Sequence, residues 1–219
     1  KMASIGLLAS SLAHELDTPL ATISGYCELL ADDIPDERLL GRIKIISEQI
    51  IKCQKTIRNL LDFSRKSTCE KKLCNIHQLI NNTLLLVEHR LKIHKINLRK
   101  AFDNNVPPLL VDGNQIQQVI LNLVNNAVDA LPQGGDIFIE TRLNTEAKSI
   151  EVVFEDNGIG ISSEDQNRVF APFFTTKEPG KGTGLGLSIC NNVISAHNGK
   201  IALESRIGNG TRFGVSLPI

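Results

Sequence analysis

The chain has 219 residues, 42% of them hydrophobic, enough for one large domain or two ordinary ones with packed cores. Lys and Arg number 24, as do Asp and Glu, and Lys1–Thr68 carries nine of each, so neither part has the basic surplus of a nucleic-acid-binding module. No apolar run approaches the roughly 18 residues that cross a bilayer, and no charged-then-apolar leader is present, so no membrane contact is expected within this segment.

Five cysteines (Cys27, Cys53, Cys69, Cys74, Cys190) lack a disulfide-like spacing and favour a reducing, cytoplasmic setting. Cys69, Cys74 and His77 are close enough in sequence to raise a zinc site, but a fourth ligand is not apparent.

From the first residues onward apolar side chains recur at steps of three and four: Met2, Ile5, Ala9, Leu12, Leu16, Pro19, Ile23, Tyr26 and Leu30. This is the seam of a single long helix. The seam is already in register at Lys1 with no capping residue before it, so the chain reads as cut from something longer, and any membrane anchor would lie upstream. At roughly 100° per residue His14 sits about 200° round the helix from the seam. It therefore faces out, with Glu15 beside it and Thr18 one turn along. Pro19 lacks a backbone donor and its ring crowds the Glu15 carbonyl, which predicts a bend in the turn that carries the histidine. An exposed imidazole flanked by a carboxylate suits proton and phosphoryl chemistry; a histidine on a helix surface is otherwise merely solvated.

The acidic cluster and Pro35 within Ala31–Arg38 break this helix, and Pro35 or Asp36 opens the next. The second helix has its own seam: Leu39, Ile43, Ile46, Ile50, Cys53, Ile57 and Leu60. Two such helices joined by a short loop predict an antiparallel hairpin. The spare apolar residues Leu7, Leu8, Leu20, Cys27, Leu40, Ile51 and Leu61 widen both stripes beyond a two-helix seam. Pairing two hairpins into a four-helix bundle would cover them, which predicts a homodimer; the second domain of the same chain could cover them instead. Ser64–Asn75 is polar, charged and without period, and reads as a hinge. It divides the chain into a helical part over 1–66, a linker over 67–74 and a second domain over 75–219.

In that second domain Ile76, Ile80, Leu84, Val87 and Leu91 make an amphipathic helix. Ile96–Phe102 and Leu109–Val111 read as strands, followed by a helix from about Gly113 to Leu131. Ile137–Leu143 and Ile150–Glu155 alternate as strands, Gly184–His197 is helical, and Lys200–Arg206 and Thr211–Leu217 form a hairpin through Gly208, Asn209 and Gly210. A mixed sheet covered by about three helices is expected.

Four stretches carry the chemistry. On the helix containing NLVNNAVDA, Ile116, Val119, Ile120, Leu123 and Ala127 form the buried face, while Asn122, Asn126 and Asp129 line the other. Asparagine is a mediocre helix former, so two on one mid-helix stripe suggest a role for their neutral oxygens, which suit Mg²⁺; an ordinary polar face is the alternative. In EDNGIGI, Asp156 ends a strand and could accept hydrogen bonds from an exocyclic amine such as adenine's, with Gly158 and Gly160 letting backbone pass near the ring; a turn explains Asn-Gly equally well. FAPFFTTK (Phe170–Lys177) concentrates three phenylalanines beside a lysine, either as core or as the anchor of a loop over the site. In PGKGTGLGLSI, Gly180, Gly182, Gly184 and Gly186 precede a helix and offer backbone N–H groups to an anion, although flexible linkers look similar.

Together and in this order, Asn122–Ala130, Asp156–Ile161, Phe170–Lys177 and Gly180–Leu187 resemble the N, first glycine, F and second glycine boxes of the GHKL ATP-binding fold. LAHELDTPL (Leu12–Leu20) resembles the H-box of the two-component sensor histidine kinases, and the resemblance spans nearly all of the chain. It implies a dimeric four-helix bundle followed by an α+β two-layer sandwich with a mixed sheet, the Bergerat or GHKL architecture. It implies ATP-dependent autophosphorylation on His14, then transfer to an aspartate of a response-regulator receiver domain. Glu15 is implied as the neighbouring base, and Thr18 as the position where some members orient water to dephosphorylate the regulator. Asn126 is implied as a ligand of Mg²⁺ and Asn122 as a neighbour of the ATP phosphates, with Asp129 on the same stripe and Lys177 near phosphate. Asp156 would read the adenine amine beside Gly158 and Gly160, and the backbone of Gly182, Thr183, Gly184, Leu185 and Gly186 would wrap the phosphates. Thr211 would support adenine through water. Asp17 departs from the basic or amide residue often found there, and an anion so near His14 would bear on the incoming phosphate or on the regulator surface chosen. A GHKL ATPase without a phosphohistidine and a non-catalytic dimeric scaffold are the competing classes.

Overall fold

The computed structural model describes residues 16, 18–31, 34, 36–64, 70–178 and 182–219. The chain divides into two compact units, Lys1–Thr68 and Cys69–Ile219. In the first, residues 18–31 are helical (α1), Pro19 among them, and α2 spans Glu37–Ser64. Asp36 starts α2 as expected: its Oδ1 accepts the backbone N–H of Arg38 (2.8 Å) and of Leu39 (3.3 Å), two donors with no partner inside the helix. The turn that carries His14, and with it the expected bend, lies outside the described residues.

The apolar stripes of this unit are not all covered. Cys27, Ile50 and Ile57 are buried, whereas Leu16, Ile23 and Leu30, spaced a heptad apart, remain 48%, 46% and 48% exposed, as does Ile46 at 47%. On α1 the regular seam thus faces outward, and the buried position belongs to Cys27, which the spacing assigned to the spare apolar set.

The second unit contains β1 (Lys72–Cys74), α3 (Ile76–Ile93), β2 (Ile96–Phe102), β3 (Leu109–Val111), α4 (Gly113–Asp129), β4 (Gly135–Asn144), β5 (Ser149–Asp156), α5 (Ser163–Gln166), α6 (Gly186–Ala196), β6 (Lys200–Ser205) and β7 (Thr211–Pro218). A five-stranded sheet runs in the order β2-β4-β5-β7-β6. Only the β2–β4 pair is parallel, so the sheet is mixed as expected. β1 lies inside the stretch read as a linker; it pairs antiparallel with β3, placing Leu73 opposite Leu110. Burial alternates along β4 and β7, β5 is buried without a break over Val152–Phe154, and the inward set (Ile137, Ile139, Ile150, Val152, Phe154, Phe213, Val215, Leu217) packs with the apolar faces of α3, α4 and α6 into one core. Each fully buried Ile in that set, such as Ile137, contributes about 1.5–3 kcal/mol by leaving water.

Two details fix the helices that carry the site. Asp112 caps α4, accepting from the N–H of Asn114 and Gln115 (both 3.1 Å). The Asp112 N–H donates to Nε2 of the buried His197 (2.9 Å), whose Nδ1 lies 2.8 Å from the Val193 carbonyl. Accepting at Nε2 and donating at Nδ1 defines the neutral tautomer that joins the start of α4 to the end of α6. Cys74 and His77 take separate partners: the Cys74 thiol faces the Val111 carbonyl (3.7 Å), while His77 lies 2.9 Å from Thr141 Oγ1 and stacks on Phe102.

Candidate functional site

Along β5, β7 and β6 the inward row is apolar until the end of β5, where it becomes polar: Asp156 pairs with Thr211, and Thr211 with Ser205. Asp156 is only 6% exposed. Burial pushes its carboxyl above the usual carboxylate range, while N–H groups of Gly158 (2.9 Å) and Thr211 pull it back. Ser205 Oγ donates its single proton to the Gly210 carbonyl (2.8 Å) and accepts from Ile161 N–H (2.9 Å). Thr211 Oγ1, 3.0 Å away, must then donate to Ser205, which leaves its own oxygen as an acceptor.

The turn after Asp156 is pinned against α4. Ile159 N–H donates to the Ala130 carbonyl (3.1 Å), and Asn157 Oδ1 accepts from Asp136 N–H (2.8 Å). Gly158 fills the narrow gap: a Cβ there would stand 2.4 Å from the Ala130 carbonyl oxygen and 2.8 Å from Asp156 Oδ1. Gly160 lies against the Arg206 carbonyl in the same turn. The strand-end carboxylate and the C-terminus of α4 are thereby brought together.

The predicted division of α4 is present, with Ile116, Val119, Ile120, Leu123, Val124, Ala127 and Val128 buried and Asn122 and Asn126 half-buried. Asn122 Nδ2 donates to the Gly186 carbonyl (3.3 Å), tying the stripe to the first turn of α6. Asn125 Oδ1 accepts from Arg90. Among the described residues Asn126 has no side-chain hydrogen-bond partner, and its amide oxygen is a suitable ligand for a hard divalent cation. Beneath the stripe lies Cys190, whose thiol is pushed up to about 12 by burial and is chemically inert.

α6 begins without a side-chain cap. Its first N–H groups and the positive end of its dipole are therefore available to an anion. Leu185 is buried at the cap and its N–H lies 3.4 Å from Thr183 Oγ1, which sets the angle of entry. Gly184 has a positive φ of 66°, and a Cβ there would stand 2.3 Å from the Phe173 carbonyl carbon, so only glycine lets the two loops touch. Gly182 abuts Thr175 and the stem of Lys177, and Lys177 Nζ reaches Asp129. Of the three phenylalanines, Phe170 packs on the core, Phe174 lies under Arg168 (4.9 Å from the ring centre) and Phe173 is exposed.

All four predicted stretches therefore meet around one end of the sheet. Gly180 lies outside the described residues, as do His14, Glu15 and Asp17; Thr18 is described, helical and exposed. Sequence reasoning missed Ser205, Asn157, Asp136 and Arg90. Asn157 was visible only as a turn residue, and Arg90 was hidden because its helix was read for its apolar face alone.

Residues 111–219 match the family model "Histidine kinase-, DNA gyrase B-, and HSP90-like ATPase", and residues 4–69 match the "His Kinase A (phospho-acceptor) domain". The signal transduction histidine-protein kinase AtoS of Escherichia coli (strain K12) is 34% identical over 219 residues, covering 100% of this chain and 36% of AtoS. The sensory histidine kinase/phosphatase NtrB of Escherichia coli O157:H7 is 38% identical over 223 residues, covering 97% of this chain and 62% of NtrB. The solved complex of histidine kinase ThkA with response regulator protein TrrA superposes with a TM-score of 0.71 at 30% identity, over 98% of this chain and 61% of that one. The chain thus spans about a third of AtoS and under two thirds of NtrB. With a phospho-acceptor domain followed by a GHKL ATPase domain, and relatives that align along nearly all of it, the chain belongs to the sensor histidine kinases of two-component systems.

Proposed function

We propose that this chain binds Mg-ATP in its second unit, transfers the γ-phosphoryl group to His14, and passes it to an aspartate of a response-regulator receiver domain. The observation that carries this is the convergence of Asn122, Asn126, Asp156 and the uncapped start of α6 at one end of the sheet, in a chain whose residues 4–69 match a phospho-acceptor domain. Asp156 and Thr211 would take the adenine end and the first turn of α6 the phosphates, with Asn122 beside them. Asn126 would hold Mg²⁺, which when bound draws charge off the phosphates.

Phosphoryl transfer asks for in-line placement and charge stabilisation more than for covalent chemistry by the protein. In the transfer the bond from the γ-phosphorus to its bridging oxygen breaks, ADP leaves with that electron pair, and an unprotonated ring nitrogen of His14 forms the N–P bond. Glu15 takes the proton from the other ring nitrogen. The N–P bond is labile, which makes the histidine a donor to the regulator's aspartate. Thr18, exposed on α1, would orient water for dephosphorylation of the same regulator.

The half-exposed heptad positions Leu16, Ile23 and Leu30 support a homodimer through a four-helix bundle, since a single hairpin leaves this stripe in water. The test is His14→Gln: labelling by γ-labelled ATP should vanish while ATP affinity stays within about twofold, and undiminished labelling would rule the acceptor out.

A further inference from the structure

Asp129 shares its stripe of α4 with Asn122 and Asn126, so the nucleotide site proposed above places a carboxylate beside a polyphosphate. Left bare, that charge would oppose binding. It is not bare. Arg90 of α3 sends Nη2 to Asp129 Oδ1 and Nη1 to Asn125 Oδ1, while Lys177 Nζ takes Asp129 Oδ2. The guanidinium fork thus grips two side chains one turn apart on α4, a geometry a lysine cannot reproduce.

The two cations differ in what holds them. Arg90 stands on a long helix whose buried residues, Val87 and Leu91 among them, belong to the core. Lys177 stands on the loop after Phe174, outside any helix or strand, with its N–H on Thr175 Oγ1 and its stem beside Gly182. A ligand phosphate can draw Lys177 away far more easily than Arg90.

We propose that Arg90 is a positioning residue for the nucleotide: it neutralises Asp129, which allows Lys177 to exchange that carboxylate for the terminal phosphate when ATP enters. This rests on the nucleotide-site reading. Without Arg90, Lys177 is the sole counter-ion of Asp129, and either it stays there or a carboxylate meets the phosphate uncompensated. Both outcomes weaken ATP more than a nucleotide lacking the terminal phosphate.

The test measures ATP and ADP affinity by calorimetry for the full chain, Arg90→Gln, Asp129→Asn and the double variant, with thermal melting of each. Arg90→Gln should weaken ATP by roughly tenfold or more, the scale of a lost charged hydrogen bond, and ADP by clearly less. Arg90→Gln/Asp129→Asn should recover most of that loss, because the charge needing compensation is gone. Equal losses for ATP and ADP, unchanged ATP affinity in Arg90→Gln, or a double variant no better than Arg90→Gln would each overturn the proposal. A loss of folding in Arg90→Gln that Asp129→Asn does not repair would assign Arg90 a structural role alone and overturn it too. Absence of ATP and ADP binding in the unaltered chain would instead refute the nucleotide site on which the proposal stands.

Discussion

Asp156→Asn alters one charge and almost no volume at the buried end of β5, so it separates recognition from folding. The carboxylate accepts from the N–H groups of Gly158 and Thr211 and has lone pairs to spare for an exocyclic amine. Asparagine keeps one acceptor and turns the other position into a donor, which then faces the donor of adenine. Losing a charged hydrogen bond costs about 1.5–3 kcal/mol, and at about 1.4 kcal/mol per decade ATP affinity should fall roughly tenfold to a hundredfold. GTP, which presents a carbonyl oxygen in place of the amine, should gain relative to ATP.

Folding responds with the opposite sign. Burial raises this carboxyl above its ordinary 3.8, so the folded state holds the proton more tightly than the unfolded state does. The stability it contributes is full below 3.8 and is lost as pH rises through the folded value. At neutral pH the neutral amide should therefore leave the ligand-free melting temperature unchanged or higher. Calorimetric titration with ATP and GTP, alongside thermal melting, measures both. Equal weakening of the two nucleotides, or ATP affinity left intact, would refute the assignment of Asp156 to the adenine amine.

Gly158→Ala should destabilise the second unit by about 1–3 kcal/mol, because its Cβ would stand 2.4 Å from the Ala130 carbonyl oxygen; differential scanning calorimetry would register the lowered transition. Asn126→Ala should weaken ATP only when Mg²⁺ is present, which titrations with Mg²⁺ and with chelator compare directly. Ile23→Glu with Leu30→Glu places two charges on the exposed heptad stripe of α1 and should shift light-scattering mass from dimer to monomer while nucleotide affinity stays the same. Burial lowers His77 below 6.5, against a smaller opposing pull from Asp103. Its stabilising share is present above 6.5 and is lost as pH falls through the folded value, so His77→Gln should flatten the acid side of the urea-midpoint profile below 6.5.

Much of the candidate site was legible because its carriers are local. A stripe of amides on an otherwise apolar helix, a carboxylate at a strand end and glycines before a helix each announce themselves within a turn or two of chain. What the sequence hid is non-local. β1 is three residues in a charged run, and its strand character comes from β3, which pairs with it in register Leu73 to Leu110. Ser205 acquires its role only when the β6–β7 hairpin sets it beside Thr211 and Ile161. α5 escaped notice although Ser162 accepts from Asp165 N–H, a capping arrangement visible in SSED but too short to stand out by periodicity. Over the described part of α1 the apolar period marks a helix, but a period alone does not say which stripe is buried and which is left exposed.

The most direct measurement incubates the chain with Mg-ATP, cleaves it under alkaline conditions that preserve phosphohistidine, and locates the added phosphoryl group by mass spectrometry. The expected finding is one acid-labile, base-stable phosphate on the peptide containing His14. A phosphate on any other residue, or bound ATP turned over to ADP with His14 never modified, would contradict the proposed transfer.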